Sequence, residues 1–140
     1  MKNLLKLEEL AQFLACLLAL YVLDVSWWVY VLLALGPDIG MIGYLINTRV
    51  GALTYNALHH KGMALLTGAF GVVLGMISVH APEMRGPDHM LYVSAFILYG
   101  HASMDRIFGY GLKFGDSFQH THLGWIGMLK AASSKSASGQ

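Results

Sequence analysis

The chain has 140 residues, of which 56% are hydrophobic and only 12% charged. A soluble domain of this length cannot hide so much apolar surface, so composition argues against an ordinary globule and for an all-α integral membrane protein. The formal net charge of +1 gives no footing for a nucleic-acid partner.

A bilayer-spanning helix needs about 20 mostly apolar residues, and four stretches approach that length. The first, residues 4–23, carries Lys6, Glu8, Glu9 and Gln12 in its opening turns. Lys2 and Lys6 before an apolar run imitate a secretory signal. Glu8 and Glu9 interrupt that pattern, and no small-x-small site precedes Ser26, so a retained span is expected. Cys16 lies within this run, where a buried, inert thiol is expected. The second stretch, residues 27–46, opens on the headgroup-type pair Trp27 and Trp28 but includes Pro37 and Asp38. The third, residues 62–79, is the cleanest. The fourth, residues 90–110, begins as bilayer-grade sequence and then takes in His101, Asp105 and Arg106.

With the N-terminus inside, Lys2, Lys6, Arg49, Lys61, Arg106, Lys113, Lys130 and Lys135 fall on the cytoplasmic side and only Arg85 falls outside. This asymmetry places the chain in the inner membrane as a multi-pass protein with both termini cytoplasmic. The linkers 24–26, 48–61 and 80–89 are short. They force antiparallel neighbours, so the expected fold is an up-down four-helix transmembrane bundle, a single domain over residues 1–130. SFQHTHLGWIGML, too short to span, is expected to form an interfacial or re-entrant segment, and residues 131–140 a disordered tail. Glycines 36, 40 and 43, and 68, 71 and 75, have the small-residue spacing of close helix contacts.

The polar residues inside these spans carry the functional reading. Each ionised side chain placed centrally costs about 2.5–3.5 kcal/mol, so Asp38, Asp105 and Arg106 would together cost roughly 8–10 kcal/mol unless paired or hydrated. A polar cavity open to the cytoplasmic leaflet is therefore expected. His101 and Asp105 are four apart and share a helix face, and Asn56 and His60 repeat the interval; His120 and His122 would share a face if extended.

Two chemistries fit these residues. In one, donors from among His59, His60, His101, Asp105, His120 and His122 hold Zn²⁺ or Fe²⁺, which activates water or oxygen. No HExxH-type signature accompanies them. In the other, a desolvated carboxylate, Glu8, Asp38 or Asp105, works with His101 or His60 as general acid and base. Either route suits cyclisation, isomerisation or hydration of a lipophilic small molecule or lipid. Arg106, Asn56 and Tyr110 would contact the substrate, and assembly into an oligomer is compatible with both. The plainer alternative is a non-catalytic lipid- or ion-binding protein or a scaffold subunit. There Arg106 and Lys113 anchor the last helix at the headgroups, and Tyr99, Tyr110 and Trp125 are belt aromatics.

The block DRIFGYGLKFGDSFQHTHLGWIG, residues 105–127, with LEEL at 7–10, PDIGMIGYL at 37–45 and YNALHHKG at 55–62, resembles a small bacterial membrane family, domain of unknown function 4260. The resemblance covers most of residues 4–127. It implies a compact multi-span membrane fold and carries no activity with it. Phe114 stands where the family's GYGLKY block has Tyr.

Overall fold

The computed structural model describes residues 1–80 and 87–126. The elements are α1 (Lys2–Val22), α2 (Trp27–Leu35), a 3₁₀ segment (Gly36–Leu45), α3 (Thr48–His59), α4 (Lys61–His80) and α5 (Pro87–Phe108). A small antiparallel hairpin, β1 (His120–Thr121) and β2 (Gly124–Trp125), follows. The all-α expectation holds. Residues 4–23, 62–79 and 90–110 correspond to α1, α4 and α5, with ends displaced by up to three residues. The expected tail at 131–140 and part of the outer linker, residues 81–86, lie outside the described residues.

Two expectations change. The second stretch is not one α-helix: it converts at Gly36 into ten residues of 3₁₀ helix, with Pro37 in the first turn. The glycines lower the α preference, and the 3₁₀ repeat of three residues per turn aligns Pro37, Gly40 and Gly43 in one buried row. At about 1.5 Å per α residue and 2.0 Å per 3₁₀ residue, Trp27–Leu45 reaches about 34 Å. The inner linker is not a loop either. Its residues form α3, started by Asn47, whose side-chain oxygen accepts the Val50 N–H at 2.9 Å. Gly51, Ala52, Tyr55 and His59 make up its buried residues, at helical spacing.

The 3₁₀ segment and α3 pack backbone to backbone. A Cβ at Gly40 would stand 2.8 Å from the Thr54 carbonyl oxygen, and one at Gly43 would stand 2.1 Å from Thr54 Oγ1. Thr54 Oγ1 uses that closeness to donate to the Gly40 carbonyl at 2.6 Å.

Helix α5 is the centre of the remainder, packed by α1, α2 and α4. Leu20, Val29 and Leu33 form the apolar core with Phe13, Leu17, Val93, Phe96 and Ile97 around them. Gly68, Gly71 and Gly75 of α4 face Ala95, Leu91 and Tyr92 on α5. Lys61 bonds both Glu9 and Gln12, and Arg106 Nη1 lies 3.5 Å from Glu9, which ties α4 and α5 to α1.

Outward, the surface is apolar: Leu65, Leu66, Phe70, Val73 and Met76 of α4 are each more than half exposed. Exposed apolar patches of this kind mark contact sites for a membrane or another protein. Among the described residues, Trp27–Leu45 and Lys61–Val79 are long and apolar enough to cross a membrane.

Candidate metal centre

Three elements deliver four donors to one point. Asp38 comes from the 3₁₀ segment, His59 from the last position of α3, and His101 and Asp105 from successive turns of α5. One donor atom from each lies within 4.8 Å of all the others. His101 Nε2 is 3.4 Å from Asp38 Oδ1 and 3.8 Å from Asp105 Oδ1. His59 Nε2 is 3.6 Å from Asp38 Oδ1 and 3.4 Å from Asp105 Oδ2. The two Nε2 atoms are 3.0 Å apart. Around an ion bound at about 2.0–2.2 Å, neighbouring donors stand roughly 2.8–3.6 Å apart, so these spacings already approximate a coordination shell.

The histidine tautomers are fixed from behind. His59 Nδ1 faces the Tyr55 carbonyl at 2.9 Å and His101 Nδ1 faces the Leu33 carbonyl at 2.8 Å. A carbonyl only accepts, so each Nδ1 carries the hydrogen and each neutral ring turns a bare Nε2 lone pair into the centre. Two lone pairs 3.0 Å apart repel unless a cation lies between them. A shared proton would serve two of the four donors; a metal ion serves all of them. Both rings are buried, His101 completely, and burial pushes His59 below the ordinary histidine range.

The side chain of Tyr55 supports the centre twice more. Its ring stacks on His59 with centroids 3.7 Å apart, and its hydroxyl donates to Asp105 Oδ2 at 2.5 Å. Burial, then the bond to Asp105, pushes the phenol far above its usual range, so it remains a hydrogen-bond donor.

Beside the donors opens a pocket of about 340 Å³ lined by Asp38, Met41, Tyr55, Asp105, Tyr110, Lys113 and Phe118. The turn after α5 makes it. Gly109, at φ +93°, donates to the Arg106 carbonyl, and Tyr110 N–H bonds back to the Asp105 carbonyl at 2.9 Å. This is the paired closure of a helix end by a left-handed glycine. Asn56 then holds Lys113 by its backbone, accepting its N–H at 2.7 Å and donating to its carbonyl at 2.8 Å.

Of the residues proposed from sequence, His101, Asp105, Asp38 and His59 meet at the centre, and Tyr110 lines the pocket. Asn56 acts on the Lys113 backbone. Glu8 accepts from Gln12 on exposed α1, and His60 Nδ1 accepts the Gly62 N–H at the α3–α4 junction. Arg106 and His122 border a separate cleft of about 460 Å³ with Lys2, Lys6 and Glu9. His120 pairs with Asp116 at 2.7 Å and stacks on Trp125. Of the residues proposed as catalytic or metal-ligating, Glu8, His60, His120 and His122 therefore stand outside the donor group. Sequence reasoning missed Tyr55 as a site residue, although it lies four residues before His59 on the same helix face. It also read Lys113 only as a headgroup anchor.

Residues 2–126 match the family described as Domain of unknown function (DUF4260), and the chain belongs to it. Comparison with curated proteins and with solved structures finds no match.

Proposed function

We propose that this member of the family is an integral-membrane metalloenzyme. Asp38, His59, His101 and Asp105 hold one divalent ion of the Zn²⁺ or Fe²⁺ class, and the reaction is hydration, isomerisation or cyclisation of a lipophilic molecule entering from the cytoplasmic leaflet. One observation carries the reading: two histidines with Nδ1 committed to carbonyls aim their Nε2 atoms at each other and at two carboxylates. A nitrogen and oxygen donor set of this kind suits Zn²⁺ or Fe²⁺. A bound ion there acts as a Lewis acid or lowers the pKa of a bound water.

The membrane part of the reading extends the two apolar spans to four, with α1 and α5 crossing beside them. At 21 and 22 residues both have the length. Three of their charged groups support this by turning toward partners: Glu9 toward Lys61 and Arg106, Arg106 toward Glu9, and Asp105 toward Tyr55 and His59. The excess of basic residues at one end supports cytoplasmic termini.

Elemental analysis of protein purified in non-ionic detergent, with mass spectrometry of co-purified lipids, tests the proposal. The expected result is one zinc or iron per chain, reduced to background in His59→Ala and in His101→Ala while both variants stay monodisperse. Wild-type protein that takes up no divalent metal, even after incubation with Zn²⁺ or Fe²⁺, would overturn it.

A further inference from the structure

The pocket contains a charged group that the donor set does not use. Lys113 is only 4% exposed, and its Nζ has no hydrogen-bond partner among the described residues. Its surroundings are rings: Nζ lies 4.0 Å from the Phe118 centroid, 5.1 Å from Tyr55 and 5.7 Å from Tyr110. Aromatic faces attract an ammonium but accept none of its hydrogens in the way an oxygen does. Burial pushes this amine below the ordinary lysine range, while Asp105 and Asp38 oppose the shift. The amine is also held in place, since both backbone polar groups of Lys113 are clamped by Asn56.

Charge then selects the ligand. Two ligating carboxylates, two neutral imidazoles and one ammonium sum to one net negative charge; a divalent ion would reverse this to one net positive charge. A loaded centre next to Lys113 is thus completed by a single negative charge, and the three unused N–H groups of Lys113 call for oxygen. We infer that Lys113 is the receptor for a monoanionic oxygen group, a carboxylate or phosphodiester, carried by the molecule that the metal centre acts on. Met41, Tyr110 and Phe118, each partly exposed, form an apolar mouth beside the amine. That pairing fits an amphiphile with its head inside and its apolar part at the mouth. The inference rests on the metal-centre reading, and its test separates the two.

Zinc-loaded protein in non-ionic detergent is titrated by calorimetry with hexanoate, diethyl phosphate and a short-chain phosphatidylglycerol. Wild type is expected to bind at least one of these anions. Lys113→Met and Lys113→Gln should each retain one zinc per chain and bind that anion at least about tenfold more weakly, the scale of a lost charge-assisted hydrogen bond. Tighter binding of the phospholipid than of diethyl phosphate points to a membrane lipid as the source, and equal binding points to a free anion. Wild type that binds zinc but none of the anions overturns the inference and leaves the metal centre standing. So does unchanged affinity in both zinc-bound variants. Loss of zinc in both variants overturns it as well, by making Lys113 part of the centre's structure. A wild type that binds no zinc removes the metal centre itself and this inference with it.

Discussion

At the scale of single residues, the centre depends on groups that bind no ion themselves. Tyr55→Phe keeps the ring against His59 and deletes only the hydroxyl that bonds Asp105. Supporting bonds of this kind are worth about 10–100-fold in metal affinity, so competition against a chromophoric chelator should show a loss of about tenfold or more with stoichiometry unchanged. His122 makes a separate, pH-sensitive contact: its Nδ1 accepts the Leu112 N–H at 2.8 Å. Burial, and then Arg106, hold His122 below the ordinary histidine value of about 6.5. The folded value is the lower one, so the stability this neutral ring contributes is complete above about pH 6.5 and is lost as pH falls through the folded value. The exchange protection factor of the Leu112 amide, referenced to intrinsic exchange at each pH, should fall in acid with a midpoint below about 6.5; a midpoint at or above about 6.5 would contradict the assignment. The cost of burying charge had already singled out Asp38, Asp105 and Arg106 in the sequence, and the four-residue spacing to Asp105 had added His101. It could not choose between His59 and His60, since neighbours on a helix point about 100° apart and only the packing of α3 decides which turns inward. Lys113 was hidden for a related reason, because a lysine just past a membrane helix has the same sequence pattern whether it snorkels or folds back.

At the scale of elements, the junction between the 3₁₀ segment and α3 sets the distance between Asp38 and His59. Gly43→Ala would put a methyl group 2.1 Å from Thr54 Oγ1 and 2.9 Å from the Val50 carbonyl oxygen. The two elements would have to separate, at about 1–3 kcal/mol for overpacking. Thermal melting should fall and zinc affinity with it, whereas Gly36→Ala, which meets only Leu32 at 3.5 Å, should leave both nearly unchanged. The glycine spacing was legible as a contact surface, and the contact is there. The 3₁₀ form was not legible, because a run of apolar residues and glycines fits either helix until a partner rewards the three-residue row. Helix α3 was overlooked because TRVGALTYNALH is too short and polar to span. Its buried positions, Gly51, Ala52, Tyr55 and His59, nevertheless follow a helical period.

At the scale of the whole molecule, the proposed topology makes a direct claim about sides. Ser26, in the turn between α1 and α2, and Gln119, in the hairpin region, are both exposed and would lie on opposite faces of the membrane. In Cys16→Ala chains, Ser26→Cys should react with an impermeant maleimide in intact cells, and Gln119→Cys only after the membrane is opened; equal reactivity of both would refute the four-span arrangement. The donor positions also impose an order on biogenesis. A nascent chain that has emerged only through α4 offers Asp38 and His59, two of the four donors. Under the proposed reading, an ion would settle only after His101 and Asp105 have been synthesised and α5 has docked among α1, α2 and α4. Metal occupancy would then be a stamp of finished insertion, and partly assembled chains would leave the ribosome metal-free.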